Sequence, residues 1–432
     1  MLRSLSIACF LLVWSISAIA SIRDAELEDY LDKVASPLFQ ASNIEDGGIT
    51  VTNNLDWNAF VIAGQTVYIH AGLIIDAEGP DMLRGVVAHE IGHITAGHVA
   101  RRKTFENQTS YLGIAGALLG ALGGAVGGGD ALGAGLSTGL GLQQSITMAF
   151  SRVHESAADQ YAIDLLSKTE TSPHGLINFL KKLDQRSGRG QQQMAPYLST
   201  HPLTQDRLTL LQRQSAKYLN KKDLEDLQQQ HERVVAKLTG FLSEPSAVLR
   251  RFSHKEGLQA SMARAIAYYR LGQKENSKQE LDKIRDGYLS QNPHDGFLWD
   301  FLGELHVRIG FNELGCAQMN KAHSFEPQSA MIAFGLAKCG LMNYQLTPSE
   351  AIILLNQFER SLSNLGEYWI QLARGYEQLQ QRGKAEAATA ELLLRQGRRD
   401  DAAWFATRAL QSLPPQDPWH KRALDIKKIL NK

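Results

Sequence analysis

The segment His89-Glu90-Ile91-Gly92-His93 places two imidazoles and a carboxylate within one short stretch of chain. On an α-helix, residues four positions apart lie on one face, so His89 and His93 can bind the same zinc ion. Glu90 is displaced by one position, which places its carboxylate beside the metal, where it can take a proton from a zinc-polarised water and later deliver one to the leaving amine. In a chain of this composition the pattern arises by chance in about one protein in fifty, so it indicates a metal site only together with other ligands.

A third protein ligand must come from elsewhere in the chain. Residues 151–159 predict a helix on which Glu155 and Asp159 share a face by the same four-residue spacing. We predict that Glu155 is the third zinc ligand and that Asp159 accepts the outer ring N–H of a ligand histidine, which fixes the tautomer of that ring. The alternative is a solvated acidic pair on a surface helix, but the neighbouring alanines and Tyr161 make this face partly apolar. His154 faces elsewhere and is not counted as a ligand.

His98 does not fit the ligand pattern. A metzincin site requires a histidine six residues beyond the second ligand, whereas His98 follows His93 by five. On a helix that continues to about Arg102, His98 lies well off the ligand face. We therefore expect it to be an exposed or capping histidine.

The elements that must position these residues predict a mostly helical α+β domain. Residues 24–42 show helical apolar spacing, and a β-rich stretch follows at 49–69 with a hairpin turn at Gly64-Gln65. A peptide in the cleft can add to an exposed edge of this hairpin through backbone hydrogen bonds, although an ordinary core hairpin is an alternative. From Pro80-Asp81, which suit a helix start, an apolar pattern runs through the zinc motif.

Residues 1–20 predict a cleaved signal peptide, because the single charge of Arg3 precedes an apolar run that ends in small residues. This predicts a mature chain from Ser21 and, in a bacterium, a periplasmic location. The glycine- and alanine-rich stretch at 113–141 is compatible with a packed helical hairpin, a flap near the site or peripheral contact with a membrane. Lys plus Arg and Asp plus Glu both number 45, which gives no electrostatic case for a nucleic-acid partner.

The C-terminal half repeats itself at tetratricopeptide spacing. The matching positions are Trp299, Leu302, Gly303, His306, Ala322 and Pro327, and then Trp369, Leu372, Ala373, Tyr376, Ala385 and Leu392. Stacked helix pairs of this kind form a groove suited to extended or helical segments of a partner. We predict a metallopeptidase domain at 21–212, a helical connector at 213–250 and an all-α repeat domain at 251–432. Cys316 and Cys339 lie in the repeats, either as a disulfide or as two buried thiols.

Residues 21 to about 212 resemble the HtpX/BepA-type zinc metallopeptidases. The motifs that match are Asn58-Ala59-Phe60, Gly72-Leu73, the Ser-Arg-x-x-Glu-x-x-Ala-Asp run at 151–159, and Thr200-His201-Pro202 with Arg207. With the signal peptide and the repeats, the whole chain resembles those members of the family that act in β-barrel assembly. The resemblance implies a gluzincin-type fold, one zinc ion per chain at His89, His93 and Glu155, and catalysis by Glu90.

The resemblance also implies that His201 can occupy a regulatory fourth zinc position, although from the residues alone His201 only ends a loop before Pro202. Arg207 either stabilises the oxyanion of the transition state or pairs with an acidic neighbour, and the sequence leaves both open.

The function that this resemblance implies is a periplasmic zinc metalloendopeptidase with a chaperone-like role in outer-membrane protein assembly and quality control. Its substrates are expected to be unfolded or misassembled outer-membrane proteins, cleaved by attack of zinc-polarised water on the peptide bond. The repeats are expected to dock on the β-barrel assembly machinery. An alternative hypothesis makes the repeats the main functional part, a docking scaffold with restrained or rare proteolysis.

Overall fold

The computed structural model describes residues 21–62, 64–98, 152–187, 197–198, 201–215, 224 and 227–430. The predicted signal peptide at 1–20 and the glycine-rich stretch at 113–141 lie outside these residues. The described chain is mostly helical with one small sheet, which confirms the predicted α+β class. Within this part of the chain, no helix combines the length and the apolarity that a membrane span requires.

The N-terminal half contains a four-stranded sheet in the order β1-β2-β4-β3. Its strands are β1 (Ser21–Ile22), β2 (Gly48–Thr52), β3 (Ala59–Val61) and β4 (Thr66–His70). β2 runs parallel to β4, and β3 pairs antiparallel with β4 in the register Ala59↔Ile69. Gly64 adopts a φ of 76° between β3 and β4, a conformation that glycine reaches without steric cost. The predicted hairpin is therefore confirmed, and β3 forms one edge of the sheet.

Three helices pack around the sheet, and the residues at their ends explain where two of them begin and where one of them stops. α1 (Ala25–Ala41) is capped by Asp24, whose side chain accepts a hydrogen bond from the backbone N–H of Leu27. α2 (Ala71–Asp76) follows β4 directly. α3 (Pro80–Thr95) starts with Pro80 in its first turn. The expected continuation of α3 to about Arg102 is wrong, because Gly97 takes a left-handed φ of 64° and turns the chain.

The zinc-motif helix α3 lies at the centre of the hydrophobic core of the N-terminal half, which we call the first core. All its residues from Met82 to His93 are buried. Glycines let its neighbours approach closely. A Cβ on Gly85 would lie 2.5 Å from the backbone N of Leu176 in α5 (His174–Ser187). A Cβ on Gly92 would lie 2.9 Å from the carbonyl oxygen of Ala158 in α4, a helix at residues 152–168. Close packing at Gly92 thus brings α4, with Glu155 and Asp159, against the zinc-motif helix.

The remaining described elements are helical. They are α6 (Gln205–Ser215), α7 (Gln228–Leu242), α8 (Pro245–Phe252), α9 (Leu258–Arg270), α10 (Lys274–Lys283) continued by a π-helical turn (Ile284–Leu289), α11 (Gly296–Ile309), α12 (Asn312–Phe325), α13 (Ala330–Leu341), α14 (Pro348–Gln357), α15 (Glu359–Leu362), α16 (Gly366–Gln378), α17 (Arg382–Arg395), α18 (Arg399–Ser412) and α19 (Pro418–Leu430).

From α9 onward, most consecutive helices pack on each other and form a helical repeat region. Small residues lie where two helices touch: a Cβ on Gly303 of α11 would lie 2.8 Å from the carbonyl oxygen of Gly315 in α12. Cys316 of α12 and Cys339 of α13 form a disulfide, which answers the question that the sequence left open. The bond joins two successive helices of the region.

α7 belongs to both halves of the molecule. Its Val234 and Leu238 lie in the first core, whereas Ala236 lies in the core of the first repeat helices. Lys237 of α7 also contacts the start of the N-terminal half, with its Nζ 2.6 Å from Asp24 Oδ1 and 3.1 Å from Glu26 Oε2. The segment predicted as a connector therefore includes a helix that packs on both sides.

Candidate metal centre

The described residues contain one cluster of side chains suited to a metal ion: His89, His93, Glu155 and His201, all buried. One ligand atom from each lies within 4.8 Å of all the others. α3 supplies the two histidines one turn apart, α4 supplies Glu155, and His201 lies just before α6. Residues that are far apart in sequence thus converge at one point.

The spacing of these atoms fits tetrahedral zinc. Ligands at zinc–nitrogen and zinc–oxygen distances of about 2.0–2.1 Å must lie about 3.3–3.4 Å from one another. His89 Nε2 lies 3.2 Å from His93 Nε2 and 3.4 Å from His201 Nδ1. Glu155 lies 3.3 Å from His89 Nε2, 3.4 Å from His93 Nε2 and 3.1 Å from His201 Nδ1. His201 thus lies at the same range as the other three and presents its Nδ1.

The charge of the pocket also fits a divalent cation. Glu90, Glu155 and Asp159 are buried together with Arg207, and three carboxylates against one guanidinium leave two negative charges uncompensated when the histidines are neutral. Burying uncompensated charge costs far more than a folded domain tolerates, so such groups pair or bind metal. Zinc would neutralise the pocket, and the residues present fit this ion.

The pKa of His89 is consistent with the same demand for positive charge. Burial alone lowers the pKa of His89, but the carboxylates of Asp159 and Glu155 raise it overall to about 10. In contrast, burial and the neighbouring charge of His89 lower the pKa of His93 to about 2. The field of the two carboxylates favours a cation at His89, and a metal ion can take the place of that proton.

Asp159 lies behind His89. Its Oδ1 is 2.9 Å from His89 Nδ1, the ring nitrogen that faces away from the cluster. Arg207 then binds Asp159 through two hydrogen bonds, from Nε at 2.7 Å and from Nη2 at 2.9 Å. Although burial raises the pKa of Asp159, these contacts with His89 and Arg207 lower it overall. The carboxylate is therefore ionised and held in place, as the orienting role requires.

The guanidinium of Arg207 has four polar contacts within the described part of the chain. Besides those with Asp159, its Nη1 lies 3.0 Å from Glu155 Oε2 and donates a hydrogen bond to the carbonyl oxygen of Pro202 at 2.7 Å. Of the two alternatives that the sequence left open, this geometry favours pairing with acidic neighbours.

Glu90 lies beside the ligand cluster rather than in it. Its Oε1 is 3.5 Å from His201 Nε2, and this oxygen has no hydrogen-bond partner in the described part of the chain. Burial raises the pKa of Glu90, which makes it a stronger base than an exposed glutamate. A buried carboxylate with an unused oxygen at a metal cluster is placed to accept a proton.

The structure corrects the expectation for His98. This residue is only 5% exposed, and its Nδ1 lies 3.1 Å from His93 Nδ1. The expectation failed because it assumed a continuous helix, whereas the turn at Gly97 redirects the chain. Sequence reasoning also missed Tyr197, whose ring stacks on that of His201 with centroids 4.4 Å apart. Its only sequence signal is its position four residues before His201.

Comparisons with known proteins give a family match and several relatives. Residues 21–215 match the model of Peptidase family M48. The beta-barrel assembly-enhancing protease of Yersinia pestis is 24% identical over 81% of this chain and 71% of its own length. The putative beta-barrel assembly-enhancing protease of Vibrio cholerae is 25% identical over 90% of this chain and 81% of its own length. Metalloprotease YcaL of Escherichia coli is 29% identical over 41% of this chain and 65% of its own length.

The fold and the buried cluster define a zinc metallopeptidase. Residues 21–215 match Peptidase family M48, and the whole chain is similar to beta-barrel assembly-enhancing proteases over most of its length.

Proposed function

We propose that this chain is a periplasmic zinc endopeptidase with a chaperone-like role, which cleaves misassembled proteins of the outer membrane. The observation that carries the peptidase part is the convergence of His89, His93, Glu155 and His201 within 4.8 Å, with Glu90 buried beside them. The names of the relatives from Yersinia pestis and Vibrio cholerae refer to β-barrel assembly, which supports the substrate class.

In this proposal His89, His93 and Glu155 hold the zinc ion. When bound, zinc acts as a Lewis acid that polarises a peptide carbonyl and acidifies water. Glu90 takes a proton from the attacking water at its unused Oε1 and returns one to the leaving amine. Asp159 holds His89 in the tautomer that points Nε2 into the cluster, and Arg207 keeps Asp159 ionised and in position.

The edge strand β3 is the proposed site for the substrate backbone. Among the described strands, β3 pairs only with β4, and its other edge is the proposed position of the peptide. β3 also packs against α3, which places this edge near the zinc motif. Backbone pairing gives affinity with little dependence on side chains, which suits unfolded substrates of varied sequence.

Metal removal tests the peptidase proposal. We expect treatment with 1,10-phenanthroline to reduce cleavage of unfolded β-casein to background, and one equivalent of Zn²⁺ to restore it, because no other group in the proposed mechanism polarises the carbonyl. Cleavage is followed by gel electrophoresis and bound zinc by atomic emission. 1,7-Phenanthroline, an isomer whose two nitrogens cannot chelate a metal ion, is the control. Undiminished cleavage by zinc-free protein would contradict the proposal. An unfolded outer-membrane porin, compared with its folded form in detergent, tests the substrate class in the same assay.

His201 is proposed as a fourth ligand that restrains the enzyme at rest. A closed four-ligand zinc site has no position for a reactive water, whereas catalytic sites keep one open. The 3.4 Å between His201 Nδ1 and His89 Nε2 matches such a closed site. Substrate engagement would then have to displace His201 before cleavage.

Removal of this restraint should raise activity. If the closed state outnumbers the open state tenfold, His201→Ala raises the rate of casein cleavage about tenfold at saturating zinc. The double variant His201→Ala/Glu90→Gln serves as the control and should be inactive. An unchanged or lower rate in the single variant rejects the restraint.

The repeat region at 251–432 is proposed to contain tetratricopeptide repeats that dock on the β-barrel assembly machinery. Its successive packed helices with glycine contacts, such as Gly303 against Gly315, support the repeat assignment. The alternative is that docking is the main role and proteolysis is rare. Complementation separates the two: if Glu90→Gln rescues an outer-membrane assembly defect as well as the wild type does, docking is the main function.

A further inference from the structure

The two zinc-ligand histidines of α3 both have a partner behind them. The outer nitrogen of His89 faces the carboxylate of Asp159 at 2.9 Å. The outer nitrogen of His93, Nδ1, faces His98 Nδ1 at 3.1 Å, with the two ring centroids 5.0 Å apart and the ring planes at 71°. The proposed mechanism assigns a role to Asp159 but none to His98.

The direction of the hydrogen bond follows from the ligand role of His93. If Nε2 of His93 faces the metal through its lone pair, the single proton of the neutral ring is on Nδ1. His93 Nδ1–H then donates to His98 Nδ1, which must be unprotonated and accept. The proton of the His98 ring is consequently on its Nε2. The pair thus specifies one tautomer for each ring.

We propose that His98 is the positioning residue of His93, in the way that Asp159 is the positioning residue of His89. The inference rests on the proposed role of His93 as a zinc ligand. Partners of this kind orient the ligand ring, and their loss typically weakens metal binding about 10–100-fold.

Two features of the backbone and packing hold His98 in this place. Gly97, with its φ of 64°, ends α3 and turns His98 back toward the preceding helical turn. On its other side, the ring of His98 stacks on that of His154, with centroids 4.0 Å apart and planes within 9°. His154 directly precedes Glu155 in α4. The stack therefore links the helix that supplies two ligands to the helix that supplies the third.

A neutral acceptor at this position also preserves the charge balance of the site. With Glu90, Glu155, Asp159 and Arg207 the pocket already has two excess negative charges, which one Zn²⁺ neutralises. A carboxylate in place of His98 would add a third. The imidazole supplies the required lone pair without this charge.

The experiment measures zinc affinity by equilibrium competition with a chromogenic chelator. We expect His98→Ala to bind zinc about 10–100-fold more weakly than the wild type. His98→Asn should recover most of the loss, because the amide Oδ1 occupies nearly the position of the ring Nδ1 and can accept the same hydrogen bond. The exposed His254, on the repeat side of the chain, provides the matched control His254→Ala, which should bind zinc as the wild type does.

Two outcomes would reject the positioning role of His98, and a third would reject the ligand set on which this role rests. Wild-type zinc affinity in His98→Ala rejects the positioning role. An equal loss in His98→Ala and His98→Asn, with lower unfolding temperatures of both metal-free proteins, assigns His98 to packing alone and also rejects it. Wild-type affinity in His93→Ala rejects the proposed ligand set instead. Absorption spectra of the Co²⁺-loaded proteins add a test of ligand geometry, since His98→Ala should shift the visible bands and His98→Asn should restore them.

Discussion

Glu90→Gln should abolish peptide-bond cleavage and leave zinc bound at one ion per chain. Glutamine keeps the size of the side chain but cannot take up a proton at its Oε1, so the loss isolates the proton-transfer step. General base catalysis contributes about 10²–10⁴-fold, and we expect a fall in the cleavage rate within or beyond this range. Because Glu90 lies beside the ligand cluster, metal affinity should change little.

The measurement combines the rate of casein cleavage with zinc content by atomic emission. Glu377→Gln, an exposed position on α16, provides the matched control and should have wild-type activity. A Glu90→Gln protein that retains more than about a tenth of wild-type activity with zinc bound would contradict the role of Glu90 as base. Loss of zinc in this variant would instead make Glu90 part of the metal site.

Arg207→Ala should be among the most destabilising single substitutions in the peptidase half. Arg207 is buried and binds Asp159 through two hydrogen bonds of 2.7 and 2.9 Å, with Glu155 at 3.0 Å. Its removal takes the guanidinium away from two buried carboxylates, and the excess negative charge of the pocket increases by one. Breaking a buried charge pair from one side costs about 3–5 kcal/mol. Weaker zinc binding should accompany this loss, because Asp159 would no longer be held behind His89.

Native-state hydrogen exchange of the backbone amides of α3 and α4 measures this cost as a local free energy of opening. The control is Arg213→Ala on the same helix, α6, where the side chain is exposed and the change should stay within about 0.5 kcal/mol. Equal protection in the two variants would mean that the charges around Arg207 are compensated in another way.

The sequence predicted the parts of the site that depend on local periodicity. His89 and His93 share a helical face whatever the tertiary fold, and the same rule paired Glu155 with Asp159. The hairpin at Gly64 also followed from a local pattern of strand and turn residues. In each case the relevant geometry is set within a few residues of chain.

The parts that could not be predicted depend on backbone direction and on contacts between distant segments. A single left-handed residue, Gly97, converts His98 from a remote residue into a neighbour of His93. The partner of Arg207 was undecidable because Asp159 lies far from it in sequence. Likewise, two cysteines on apolar helical faces do not reveal whether their helices are adjacent.

The shared helix α7 has a consequence for how the molecule can be divided and moved. Val234 and Leu238 lie in one core and Ala236 lies in the other. Truncation of the chain on either side of α7 would therefore expose apolar surface on the half that loses this helix. The salt bridges of Lys237 with Asp24 and Glu26 fasten the same helix to the first residues of the described chain. The two halves are therefore coupled through the packing of α7. A force that a partner exerts on the repeats is therefore transmitted to the peptidase core through a packed helix, α7, rather than through a flexible linker.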